Sequence, residues 1–281
     1  MVACSARHER RQTMQAVTTV ALLRKREGMS SPLFSKYWRD VHGMLATRIP
    51  GFRAYVQYHL EAPWPLAGNE HSSPDSSLHG IAVVDFDSEE KRGGLADSEV
   101  AGLIREDEIN LFHSSLLYNL PGGADSLLQQ TTEEAAQPHH HFLLLRGASA
   151  AGEQALRQVL QQHPSLRQLR SFALDRGDAG QWKTPGVDNQ LSDDNQFDLM
   201  LQITGDRRLS SETIEHAVQT LSPALARVRL YPVRAAYAMV SNGRPTHLGL
   251  RGLDVLQTIQ ATGADNQLDA RLLQCLYGVA P

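Results

Sequence analysis

The alternation of apolar and polar positions divides the chain into two similar runs of elements. Val17 to Leu23 (VTTVALL) is apolar and β-branched and predicts a buried strand. Ser30 or Ser31, with Pro32 in the first turn, predicts the start of a helix reaching about Thr47. On that helix Phe34, Trp38, Val41 and Leu45 form one stripe, with His42 beside them. Pro50-Gly51 ends it. From Phe52 to Leu60 the pattern alternates. Phe52, Ala54, Val56 and Tyr58 share one face; Arg53, Tyr55, Gln57 and His59 share the other. Ala62 to His79, rich in Pro, Gly, Ser and Asn, predicts a long loop. A strand at Gly80 to Phe86, a helix at Glu99 to Phe112 and a strand at Leu116 to Leu120 complete a β-α-β-β-α-β order, the ferredoxin-like unit.

The order then recurs. Strands are expected at Phe142 to Leu145, from Ser171 to Leu174, at Phe197 to Ile203 and at Val233 to Val240. Helices are expected at Glu153 to Leu169, with Pro164 bending its end, and at Ser211 to Ala226. This gives a disordered arm (1–13), a first unit (14–120), a polar linker (121–138), a second unit (139–245) and a helical C-terminal extension (246–281). The expected class is α+β. Each unit keeps both helices on one side of its sheet and leaves the other side bare. Two units can pack those bare faces into one α/β barrel closed within a single chain.

Composition narrows the function. A formal charge of −4 offers no basic face for nucleic acid. No segment approaches the roughly 18 apolar residues of a membrane span. Cys4 and Cys275 lie at opposite ends and are expected as free thiols in a reducing, cytoplasmic setting. No Gly-rich phosphate loop, nucleophile elbow or Cys-X-X-Cys occurs, which disfavours nucleotide cofactors and Ser or Cys nucleophiles. His139-His140-His141 suggests a metal cluster, but neighbours on a strand point to opposite faces and no further ligand stands at suitable spacing. No metal or cofactor is expected.

What remains is acid/base chemistry. His42 follows Trp38 by four residues, so the two share a helix face, and an imidazole there can move protons near neutrality. His59 shares its strand face with Tyr55 and Gln57, a polar set suited to a pocket. Tyr37 and Trp38 are candidate pocket walls. Asp107 and Glu108 lie on the second helix and read mainly as solvated acids; His113 could reach the cleft from the far side. The expected catalytic pair is His42 and His59. Trp38, Tyr37, Tyr55, Gln57 and His113 are the expected substrate contacts. Tyr58 falls on the opposite face by parity and reads as core or barrel interface.

KYWRDVHG (Lys36 to Gly43), PGFRAYVQYH (Pro50 to His59), GIAVVDFDSEE (Gly80 to Glu90) and REDEINLF (Arg105 to Phe112) together resemble the EthD family of dimeric α/β-barrel proteins, over roughly residues 17–120. The second half resembles it only in pattern and lacks the Tyr-Trp…His element. The resemblance implies sheet-paired ferredoxin-like units and cofactor-free chemistry in aromatic and polyketide metabolism. One cleft is expected, between the sheet and helices of the first unit. The first expectation is a lyase, a decarboxylase or a dehydratase/cyclase, using His acid/base catalysis on an aromatic or polyketide-like molecule. The alternatives are a cofactor-independent oxygenase of a hydroquinone-like substrate, and a non-catalytic accessory protein binding a hydrophobic ligand or haem. A homodimer stays open.

Overall fold

The computed structural model describes residues 17–66, 77–129, 138–174, 182–190, 196–219 and 227–277. The expected N-terminal arm lies outside these residues. In the first unit β1 (Val17–Lys25) leads into α1 (Ser31–Tyr37), a π-helical turn (Trp38–His42) and α2 (Gly43–Ala46). Then follow β2 (Phe52–Leu60), β3 (Gly80–Phe86), α3 (Glu89–Gly93), α4 (Glu99–Leu111) and β4 (Phe112–Pro121). The strands pair antiparallel in the order β4-β1-β3-β2, as a ferredoxin-like unit requires.

After β5 (Asp125–Gln129) the second unit repeats this order. It comprises β6 (His139–Arg146), α5 (Ala150–Gln161), β7 (Leu166–Ala173), β8 (Leu199–Gly205), α6 (Ser211–Gln219) and β9 (Arg227–Ser241), paired as β9-β6-β8-β7. The final strands cross between the sheets. Arg227 to Pro232 of β9 pair with β6, and Val233 to Val240 pair with β2. Likewise β4 pairs with β1, and after Gly122 and Gly123, both at positive φ, the chain resumes as β5 on β7. β9 thus spans both sheets and β5 follows β4 onto the second one, giving a pseudo-twofold α/β barrel of ten strands among the described residues.

Between the sheets lies a core that includes Val20, Leu22, Tyr58, Ile81, Phe142, Leu144 and Tyr231. A second core fills the space under the first unit's helices, and a leucine-rich one lies under the second unit's. Tyr58 lies in the core between the sheets, as parity predicts. After β9 the chain adds β10 (Arg244–Pro245), α7 (His247–Arg251), α8 (Leu253–Thr262) and α9 (Ala270–Tyr277). The C-terminal segment is therefore helical, as expected. Thr47 Oγ1 donates to the Gly249 carbonyl at 3.5 Å, tying α7 to the end of α2.

Three expectations change. The stretch expected as linker contains β5, because Asp125 to Gln129 find an open edge on β7. The helix expected to reach Leu169 stops at Gln161, and Leu166 to Ala173 form β7. A bulge between Leu166 and Gln168 puts Leu166 and Leu169 on one face at a spacing that looks helical in sequence. A second bulge, between Phe52 and Ala54, turns Phe52 away from Val56 and Tyr58 and toward Tyr55.

Candidate active site

The site begins with an irregular helix. Ser30 caps α1 by accepting a hydrogen bond from the Leu33 amide at 3.3 Å, and Pro32 sits in its first turn. A regular helix would turn Val41 inward with Trp38. Instead the Gly43 amide donates to the Trp38 carbonyl, five residues back, and the chain makes a π turn. The extra residue rotates the face. Val41 is 49% exposed, whereas His42 is 6% exposed. Gly43 is needed there: an added Cβ would stand 2.4 Å from Gln57 Nε2 and 2.8 Å from the Trp38 carbonyl oxygen.

His42 Nδ1 lies 3.0 Å from Asp107 Oδ2. An ionised carboxylate only accepts, so Nδ1 carries the proton; in the neutral ring the Nε2 lone pair is then free. No described residue bonds that Nε2. Tyr37 donates to the other Asp107 oxygen at 2.6 Å, and Asn110 Nδ2 donates to the same oxygen at 3.3 Å. Burial works against a charged Asp107, but the hydrogen bonds from His42, Tyr37 and Asn110 outweigh it and hold its carboxyl below the usual range. The Tyr37 phenol is raised, chiefly by its bond to Asp107 and then by burial.

His42 borders a cavity of about 140 Å³ between the first sheet and its helices. Ala21, Trp38, Phe52, Tyr55, Ala82, Val84 and Phe112 give it apolar and aromatic walls. Thr19, Ser115, Asn119 and Glu108 supply polar edges. Thr19 donates to Asn119 Oδ1 at 2.8 Å. Glu108 is 5% exposed and its carboxyl is raised: burial dominates, opposed by the Thr184 hydrogen bond, the His42 charge and the Trp182 hydrogen bond. Trp182 also lines the cavity, although it comes from the second unit.

Of the expected residues, His42, Trp38 and Tyr55 border this cavity. His59 does not. It lies behind Trp38, stacked on its indole at 4.4 Å between centroids, and is fully buried. Ser35 Oγ meets its Nδ1 at 2.6 Å and Gln57 Oε1 meets its Nε2 at 3.1 Å. Both ring nitrogens are thus occupied. Burial, followed by the charges of Arg234 and Arg39, lowers its pKa to about 3. The expected catalytic partner thus packs behind Trp38 and outside the cavity lining. Gln57 belongs to the same scaffold, donating to the Trp38 carbonyl at 3.0 Å and to the Tyr55 hydroxyl at 2.8 Å. Tyr37 acts through Asp107 and lies outside the cavity wall. His113 faces outward, with Nδ1 3.6 Å from Glu27 Oε1. Tyr37, Gln57 and His113, expected as substrate contacts, do not line this cavity.

The second unit has no comparable space in its matching positions. Strand registers align Ala21 with Leu143, Gly80 with Leu199 and Ala82 with Leu201. All three leucines are buried and belong to the core under the second unit's helices. In the first unit Gly80 leaves room for Trp38, whose ring carbon lies 2.4 Å from where a Cβ would stand. Small residues thus open one half, and leucines fill the other. Sequence reasoning missed Thr19, Asn119 and Trp182. The alanines on β1 and β3 were a legible signal of space; nothing local signalled Trp182.

Among the described residues no group of three or more His, Cys, Asp or Glu could hold a metal ion, and no helix is long and apolar enough to cross a membrane. Residues 26–115 match the EthD domain family. No curated protein matches the chain. Among solved structures, an EthD-family protein from Bacillus halodurans is similar at 14% identity, over 36% of this chain and 95% of that one, with a TM-score of 0.28. A proposed monooxygenase from Fusobacterium nucleatum is similar at 6% identity, over 83% and 96%, with a TM-score of 0.47. An anthrone oxidase-like protein is similar at 11% identity, over 80% and 93%, with a TM-score of 0.43. Likenesses this distant carry no chemistry to this chain.

Proposed function

We propose that this chain, which carries an EthD domain over residues 26–115, is a cofactor-free enzyme that moves a proton on a small aromatic molecule through His42. One observation supports this above the others: His42 Nδ1 is bound to Asp107 while Nε2 is left for whatever fills the cavity. That is how an acid/base histidine is held in a working tautomer.

The cavity volume selects among substrates. About 140 Å³ is close to the roughly 150 Å³ of an engineered apolar cavity that takes up benzene. One aromatic ring fits. His59, with both nitrogens bound, is a poor haem ligand.

The reaction is a lyase step. In a decarboxylation His42 Nε2 first takes the proton of the substrate's carboxyl group; the ring–carboxylate bond then breaks, CO2 leaves, the electron pair stays on the ring carbon, and Nε2–H returns that proton to the carbon. Asn119, Ser115 and Thr19 lie at the edge where a substrate oxygen would collect charge. The test is turnover of a panel of hydroxylated benzoates, following CO2 release and O2 uptake together, with His42→Ala as control. CO2 release that disappears in His42→Ala supports the lyase reading. O2 uptake instead, still dependent on His42, would replace it with the cofactor-free oxygenase. A folded His42→Ala protein turning over at the wild-type rate would end both.

A further inference from the structure

Chain from the other unit supplies part of the cavity wall, and this deepens the proposed function and rests on it. Residues 182–190 lie between β7 and β8 of the second unit, yet run along β4 of the first. The Asp188 amide donates to the His113 carbonyl at 2.9 Å, and the Ser115 amide donates to the Asp188 carbonyl at 3.1 Å. Asn189 Nδ2 donates to the Ser115 carbonyl at 3.0 Å. The segment is therefore joined to the β4 edge by a single parallel bridge, Ser114 to Asp188.

Its side chains are locked as well. The Trp182 indole N–H donates to Glu108 Oε1 at 2.9 Å, and the Thr184 hydroxyl donates to Glu108 Oε2. The Arg105 guanidinium lies 5.0 Å from the centre of the indole on its face. Trp182 is 8% exposed and forms part of the cavity wall. Glu108 thus holds the indole by one oxygen and its segment by the other. This is the arrangement expected of a rigid wall, and a wall of this bulk decides how far a bound ring can extend.

We infer that Trp182 is the specificity-determining residue of the first unit's cavity, restricting it to one aromatic ring, and that the second unit contributes to this site by delivering it. Removing the indole would open space of the order of a second fused ring beside the first.

Isothermal titration of the full chain with 4-hydroxybenzoate and 6-hydroxy-2-naphthoate tests this. The wild-type protein is expected to bind the single ring and to reject the fused pair. Trp182→Ala is expected to shift the affinity ratio toward the naphthoate by roughly 10-fold to 200-fold, the range that small changes in an apolar pocket produce. Trp182→Phe should shift it less, and carries the comparison if the alanine variant does not fold. An unchanged ratio in a folded variant overturns the inference. So does a wild-type protein that binds the naphthoate as tightly as the benzoate, or that binds neither. The readout is independent of turnover. A shifted ratio with His42-independent activity would sink the proposed reaction alone; an unshifted ratio with His42-dependent activity would sink this inference alone.

Discussion

Val41 and His42 are chain neighbours with opposite surroundings: Val41 is 49% exposed and His42 only 6%. The π turn between Trp38 and Gly43 makes this exchange, and it turns an imidazole toward the cavity in place of an isopropyl group. Such turns persist where function compensates for their strain. Gly43→Ala would press a methyl group into Gln57 Nε2 and the Trp38 carbonyl. The expected cost is about 1–3 kcal/mol, as for other overpacked sites, with loss of most activity. Urea unfolding and turnover check both; a variant with wild-type midpoint and rate would show that the turn tolerates the methyl.

Asp107 sets the tautomer of His42 from 3.0 Å away. Asp107→Asn is expected to lower kcat on the order of 10²–10⁴-fold, the range assigned to a positioned acid/base group. Substrate affinity should stay close to wild type, because Asp107 does not line the cavity. Steady-state kinetics separate kcat from KM, and a change confined to KM would contradict the role.

His59 makes stability pH-dependent. Its pKa falls from 6.5 to about 3, mainly through burial. A lowered histidine contributes stability that is fully present above pH 6.5 and lost as pH falls toward 3. At about 1.4 kcal/mol per pKa unit the limit is on the order of 5 kcal/mol. His140 and His141, each lowered to about 4 by burial, act in the same window. Melting temperature should fall steeply from pH 6.5 to 4 and less steeply in His59→Gln. Parallel slopes would refute the assignment.

Glu108 acts in the opposite sense. Burial raises its carboxyl above the usual 4.5. A raised acid contributes stability below its unfolded pKa, and that contribution is lost as pH rises through the folded value. The wild-type protein should therefore lose stability relative to Glu108→Gln between pH 4.5 and neutrality. Calorimetry across that range reads the difference, and a constant gap would mean that Glu108 ionises as freely folded as unfolded.

The two halves suggest a swap. Ala82→Leu places in the first unit the residue that the second unit carries at its matching position, Leu201. It should fill the cavity, abolish 4-hydroxybenzoate binding and leave melting unchanged or higher, since the added methyls enter open space. Leu201→Ala should instead cost about 2–5 kcal/mol, as removal of a buried leucine does. Full ligand affinity in Ala82→Leu would place the ligand elsewhere.

Much of this was legible from the chain. Two β-α-β-β-α-β runs follow from local periodicity and from the turn at Pro50-Gly51. The face of β2 bearing Tyr55, Gln57 and His59 follows from a repeat of two, and it does lie under the helices. The four-residue spacing put His42 on a face with Trp38, and both border the cavity. Where local periodicity was interrupted, the reading failed. Bulges at Phe52/Ala54 and Leu166/Gln168 moved side chains by one position, and Pro164 separated a helix from a strand that shared its apolar spacing.

By itself the sequence determined which segments are helix or strand and which residue types could do chemistry, because those depend on neighbours a few positions away. Tertiary structure decided which of them meet. It sealed His59 behind Trp38 and joined Asp107 to His42 across 65 residues. It also carried Trp182 from one unit to Glu108 in the other, 74 residues away. Contacts at that separation arise from packing helices on one sheet and joining two units in one chain, and no local pattern encodes them.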